Sequence, residues 1–345
     1  MTTNQTISLN YTLEEIKEYL SVLQHESTLT FIPTLIYLSL LIVVGSIGNC
    51  LVLIIYLTRM TKKSMRIFII SMALVDLFIN IVLIPGEMYN MFYVWDFEYP
   101  NLCKIRRFLN SASSMFSVLI LVAIAITRYR AVCSSPVKII STTHAKITCA
   151  FFAAFSCFLS IPYGMINGRQ TKETPNPKIF GHFCDIDDRY VHTKWPSFCS
   201  AIFLLFIVVS SMFTLASYAS IRYKVRRHNA NMKLNKQGQL FQMEQRSTSI
   251  QEKTKVGFCP TTRVMLTITV TGFVAGYPFL GVQIYKTAHP EGYAVLEGVP
   301  LAMYHLFYRS YLLHSAVNPI IYILMDRSFR KECWTLLTNT WKCKS

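Results

Sequence analysis

Cys103-Lys-Ile-Arg-Arg-Phe-Leu-Asn-Ser-Ala-Ser-Ser-Met-Phe-Ser-Val-Leu-Ile-Leu-Val-Ala-Ile-Ala-Ile-Thr-Arg-Tyr-Arg-Ala-Val132 decides the fold. Read as one helix, the steps from Cys103 to Arg128 cover roughly 37 Å at ~1.5 Å per residue. That exceeds the ~30 Å hydrocarbon core of a bilayer, so the two ends reach opposite water boundaries. Arg107, Asn110, Ser114 and Ser117 recur at three- and four-residue spacing and share one helical face. A span with a polar stripe turns it toward other protein, which places this helix inside a bundle.

Working outward, the chain is 52% hydrophobic and only 15% charged. Soluble domains carry about 25% charged residues, so the deficit points to a membrane protein. Seven apolar segments of spanning length follow one another, at about 31–57, 67–93, 102–132, 144–165, 197–222, 261–287 and 299–325. The expected fold is an all-α membrane protein, a seven-transmembrane bundle spanning residues 31–325. Residues 1–30 read as an extracellular tail without a signal peptide, with a short helix over Glu14–Leu23 at the membrane surface. Asn4 and Asn10 begin N-glycosylation triplets. Residues 326–345 form an amphipathic interfacial helix and short tail, where Cys333 and Cys343 suit S-acylation. The loop at about 223–260 reads as a largely solvated linker whose ends continue the flanking helices. Its Ser247, Thr248 and Ser249 are candidate sites for a receptor kinase, and arrestin would follow as a partner.

The net charge of +16 invites a nucleic-acid reading, and its distribution removes that reading. With the N-terminus outside, the inner loops and tail hold 23 Lys/Arg against four acids, and the outer segments hold 11 against 13. This is the positive-inside asymmetry, facing the anionic inner leaflet of the plasma membrane. Intramembrane charge is sparse and no half of the chain repeats the other, which disfavours a channel or transporter. No metal-spaced His/Cys set and no nucleophile–base motif points to an enzyme.

Of ten cysteines, Cys103 and Cys184 fall on the oxidising outer side and are the best disulfide candidates; Cys199 is the competitor. Asp76 is the one acid deep in an apolar span, and such a charge needs partners. Asn49, Ser117, Ser315 and Asn318 stand at similar depth, an oxygen set suited to Na⁺ or a water cluster. His314 is a neighbour that could pair with Asp76.

In order along the spans come Gly48-Asn49, Ser71-Met-Ala-Leu-Val-Asp-Leu77, Trp95-Asp-Phe97, Cys103, Arg128-Tyr129, Tyr218, Pro278, Asn318-Pro-Ile-Ile-Tyr322 and Phe329. Together they resemble the rhodopsin-like (class A) G-protein-coupled receptors over residues 31–337, a very specific signal because the motifs occur in order on seven spans. The resemblance implies no cofactor beyond an allosteric Na⁺ at Asp76 with Ser117, Ser315 and Asn318. It implies that Arg128 engages a heterotrimeric G protein, with Tyr129 beside it, and that Tyr218 and Tyr322 close on a water in the active state. Pro278 and Pro319 mark the moving helices. It places a ligand cavity among Glu87, Arg107, Asn110, Ser111, Ser114, Phe279, Gln283, Tyr304 and Tyr308. An amine receptor would need an acid at Asn110, and an opsin a lysine at Leu312. Mixed charge, aromatics and the outer loop with Asp185-Ile-Asp-Asp188 favour a peptide; a lipid or small organic acid paired to Arg107 is the alternative.

The sequence also departs from this family. Thr127 stands where an acid precedes the arginine, Phe258-Cys-Pro-Thr-Thr-Arg263 offers no acid at the start of the sixth span, and Gly276 stands where a tryptophan is usual. Phe152 and Ser210 replace the usual Trp and Pro of the fourth and fifth spans. With both carboxylates missing, basal signalling should be raised. Second-messenger levels in transfected cells without ligand should exceed those in mock-transfected cells; equal levels would refute this.

Overall fold

The computed structural model describes residues 11–60, 64–133, 140–243, 260–289 and 296–342. Asn4, Asn10, Ser247, Thr248, Ser249 and Cys343 lie outside them. Helix α1 runs Leu13–Thr58 without interruption, so residues 14–23, expected as a separate surface helix, are continuous with the first span. Its physical reason is local. Thr12 and Glu15 cap one another's backbone N–H groups, and no glycine intervenes before the span; Pro33 lies within the helix. Gln24 secures the outer extension: its Oε1 accepts from Val94 N (2.7 Å), and its Nε2 donates to the Met91 carbonyl (3.1 Å). Trp95 donates its indole N–H to Ser27 Oγ (2.8 Å).

The second span is α2 (Ser64–Phe78), a π turn (Ile79–Leu83) and α3 (Ile84–Phe92). Pro85 explains the widened turn, because its ring excludes the carbonyl four residues back and it has no N–H to donate. Helices α4 (Pro100–Cys133), α5 (Thr142–Ile166), α7 (Trp195–Met243) and α8 (Pro260–Ala288) are the next four spans. Helix α7 takes in residues 223–243 of the inner loop read as linker. Among the described residues six helices are long and apolar enough to cross a membrane. The seventh span is broken rather than continuous: α9 (Gly298–Tyr308), a 3₁₀ turn (Ser310–Leu313) and α10 (His314–Met325). Arg309 sits at the break and is 4% exposed, so the helix turns where a charge must be delivered inward. Helix α11 (Arg327–Lys342) is the interfacial helix, and buried Phe329 packs its start against Tyr56 and Tyr322.

The core is a bundle interior. Val52, Phe68, Met72, Ile120, Ile124, Met265 and Tyr322 pack together across α1, α2, α4, α8 and α10. Exposed Ile47, Leu74, Phe158, Leu205 and Met212 face outward, as a lipid-facing surface requires. Small residues permit the closest approaches. A Cβ on Gly48 would stand 2.6 Å from Pro319, and one on Gly45 would stand 2.3 Å from Asn80.

Over the outer end lies a hairpin, β1 (Asn167–Glu173) paired antiparallel with β2 (Phe180–Ile186). The Cys103–Cys184 disulfide ties it to α4 across 81 residues of chain, a closure worth about 4 kcal/mol on loop-entropy grounds. His182 donates its N–H to the Trp95 carbonyl (2.8 Å) and accepts from Phe97 N (3.0 Å). Short helix α6 (Asp188–Val191) follows the hairpin. Lys172 projects over Trp95, 3.9 Å from the ring centroid. Burial pulls its ammonium down to about 8, below the ordinary lysine value of ~10.4. The unfolded chain therefore holds more protons above that point, and stability rises with pH through the window. The Tm of the purified receptor should increase from about pH 8 to 10, between the folded and unfolded values, and Lys172→Met should flatten that increase; an unchanged slope would refute the assignment.

Candidate ligand-binding cavity and its polar clusters

Helices α4, α7, α8 and the broken seventh span enclose a cavity of about 380 Å³, within the usual size range of small-ligand sites. Arg107, Asn110, Ser111, Ser114, Phe279, Gln283 and Tyr308 line it, as the sequence leads one to expect. Arg107 is 6% exposed, so it is held in protein and does not snorkel to water. It donates to the Tyr308 hydroxyl (2.9 Å) and the Cys184 carbonyl (3.3 Å), and its Nε has no hydrogen-bond partner among the described residues. Asn110 donates to the Tyr311 hydroxyl. Phe279 packs between the rings of Tyr308 and Tyr311, with centroids 5.4 and 4.9 Å away. Ser111 accepts from Ser160 of α5 (3.0 Å), so its hydroxyl is partly committed to helix packing.

Two expected lining residues lie elsewhere. Glu87 is buried and off the cavity wall, because Arg106 forms a charge-assisted hydrogen bond to it and Arg309 approaches to 3.4 Å. A buried carboxylate needs such company, and these arginines supply it from α4 and the seventh span. Tyr304 stacks on Tyr308 at 5.9 Å and supports the wall from behind. Arg106 and Arg309 were among the residues missed. The available signal was Arg309, the one Lys or Arg within 299–325. Above them Lys286 of α8 binds Asp185 of β2 at 2.6 Å. Burial opposes the Asp185 charge, but Lys286 and Arg107 outweigh it and hold the carboxyl below its ordinary value. Glu87 therefore faces two guanidinium groups, those of Arg106 and Arg309.

Deeper in the bundle, Asp76 is fully buried and accepts from Asn318 Nδ2 (2.8 Å) through Oδ2. Its Oδ1 lies 3.7 Å from His314 Nε2 and, like Ser117 Oγ, has no hydrogen-bond partner among the described residues. Asn49 and Ser315 are close by but make other bonds. Asn49 donates to the Gly45 and Ser315 carbonyls (2.9 and 2.7 Å), while the Ser315 hydroxyl donates to the Leu312 carbonyl and Asn80. Asn80, which the sequence reading passed over, braces the Asp76 backbone at 2.6 Å. Among the described residues no group of three or more His, Cys, Asp or Glu side chains is arranged to hold a metal.

At the inner end, Thr127 bonds back to the Ala123 carbonyl (2.7 Å), so a neutral hydroxyl occupies the place beside Arg128. Tyr129 is exposed, whereas Tyr218 and Tyr322 are buried, with Tyr218 against Ala125 and Ile221. Pro278 and Pro319 lie inside α8 and α10. Cys333 is partly exposed on α11.

A sequence model of the family "7 transmembrane receptor (rhodopsin family)" matches residues 48–322. The neuromedin U receptor homolog nmur-2 of Caenorhabditis elegans is 25% identical, covering 96% of this chain and 86% of its own. Chemerin-like receptor 1 of Rattus norvegicus is 26% identical over 85% of this chain and 75% of its own. The RYamide receptor of Drosophila melanogaster is 24% identical over 95% and 68% respectively. With a match over most of its length and the bundle that goes with it, this chain belongs to the rhodopsin family of seven-transmembrane receptors and is a multi-pass membrane receptor, not an enzyme.

Proposed function

We propose that this receptor lies in the plasma membrane with its N-terminus outside, binds a peptide in the cavity beneath the hairpin and activates a heterotrimeric G protein through Arg128. The observation that carries the reading is the cavity mouth. There Arg107, Asn110, Gln283 and Tyr308 set polar groups beside an aromatic wall, under a disulfide-anchored hairpin. Relatives named as neuromedin U and RYamide receptors support a peptide over other ligands. One observation favours the second reading, a lipid or small organic acid: Arg107 has only neutral hydrogen-bond acceptors, so an incoming carboxylate would meet an uncommitted Nε. Screening secreted peptides against expressed receptor, with several G-protein outputs read in parallel, tests the first reading directly. Arg107→Ala should weaken agonist potency about 10- to 100-fold with surface expression retained, as expected when a hydrogen bond to a charged group worth ~1.5–3 kcal/mol is removed. Unaltered potency would remove Arg107 from the binding site.

The same reading assigns Asp76 and Ser117 a Na⁺ ion that favours the inactive state. The fit rests on the unsatisfied Asp76 Oδ1 and Ser117 Oγ; Asn318 orients the carboxylate, and Ser315 would have to turn from the Leu312 carbonyl to join. Asp76→Asn should abolish sodium dependence of agonist affinity, and persistence of that dependence in the variant would refute the site. Arrestin and a receptor kinase are the further partners, and Cys333 is the acylation site on α11, bringing it to the inner leaflet lipids.

A further inference from the structure

Gly272 and Gly276 stand one turn apart on α8, and both line the cavity. Glycine in a helix interior costs ~1 kcal/mol relative to alanine, so two on one face call for a reason. At Gly272 the reason is steric, since a Cβ would stand 3.3 Å from Leu121 Cδ1. At Gly276 a Cβ would meet nothing within 4 Å, and because Gly276 lines the cavity that open space is cavity space. The lining continues past this point to Ser117, Leu121, Phe206 and His314. From Arg107 to Leu121 the α4 wall descends roughly 21 Å at ~1.5 Å per residue, well into a hydrocarbon core of ~30 Å.

The character of the wall changes on the way down. Arg107, Asn110 and Tyr308 surround the mouth, whereas Met115, Val118, Leu121, Phe206 and Phe273 dominate below. Aromatic edges and a methionine thioether suit a flat apolar group. Ser117 and His314 line the bottom, and His314 Nε2 stands 3.7 Å from the Asp76 carboxylate.

We propose that Gly276 opens a deep chamber beneath the ligand cavity, and that this chamber receives an aromatic, apolar end of the ligand while the polar part stays at the Arg107 level. The inference rests on the reading of this cavity as the ligand site. An apolar group seated there excludes water from His314 and Ser117, and so strengthens whatever electrostatic contact Asp76 makes. The ligand itself then reaches the polar cluster from above.

Leu121→Cys tests the chamber without a known ligand. In intact cells, a membrane-impermeant methanethiosulfonate ethylsulfonate should form a mixed disulfide with the new thiol and release methanesulfinate, read as an increment over the parent chain. Ile120→Cys, buried one residue away and off the cavity, should stay unlabelled. Adding Gly276→Trp should abolish labelling at position 121. Gly281→Trp, on the same helix but off the cavity, should leave it intact. If Gly276→Trp fails to reach the surface, Gly276→Leu takes its place with the same expected loss. Preincubation with 5-phenylpentanoate should slow labelling, and acetate should not. An unreactive Leu121→Cys, or labelling indifferent to both Gly276 substitutions, overturns the chamber. Equal effects of the two carboxylates overturn its preference for an aromatic end. Labelling requires neither peptide nor G protein, so its failure is distinct from failure of the peptide screen.

Discussion

A helix in hydrocarbon can carry polar side chains only by turning them toward other protein, and α4 does this along its whole length. Arg106 and Arg107 are buried at its outer end, Ser117 at mid-depth and Thr127 at its inner end, while Asn110 and Ser114 face the cavity between them. The other spans are arranged by what these groups need. Glu87 and Tyr308 come to the arginines, Tyr311 comes to Asn110, and Asp76 and His314 lie at the depth of Ser117. The disulfide then carries the hairpin over the same helix, so the cavity's roof and wall share one anchor.

The charges near the mouth are divided by burial. Glu87 is enclosed between Arg106 and Arg309 and works as an internal brace joining α3, α4 and the seventh span. Removing one partner of such a group would strand the others in low dielectric, which is why it suits structure better than exchange with a ligand. Arg107 is different. Its acceptors are a phenol and a carbonyl, both neutral, and it faces the cavity. A single helical step between Arg106 and Arg107 therefore separates a bracing charge from a cavity-facing one.

Irregular helix geometry appears where a polar or bound group must be positioned. The π turn lies between Asp76 and Glu87, and the break in the seventh span lies between Tyr308 and His314. Asn80 within the π turn reaches the Asp76 backbone and Ser315. Glycine serves two distinct ends here: Gly45 and Gly48 let helices touch, whereas Gly276 leaves room for something else.

The sequence by itself determined the seven spans, the Cys103–Cys184 pair and most of the cavity lining. Length against bilayer thickness, charge asymmetry and helical spacing are local properties, and they survive folding. The extension of α1 through residue 30 was partly legible in the Thr12–Glu15 capping pair, but the contacts of Gln24 and Ser27 that hold it lie some 70 residues away in the chain. Tertiary structure alone decided which charges are spent. Glu87 reads as a cavity acid until Arg106 and Arg309 close on it, and Ser315 reads as an Asp76 ligand until its hydroxyl finds Leu312. It alone also showed that Gly276 faces open space. Side-chain direction at one helical step, and the break at Arg309, depend on what the neighbouring helices bring within ~3 Å; periodicity along one strand of sequence carries no record of that distance.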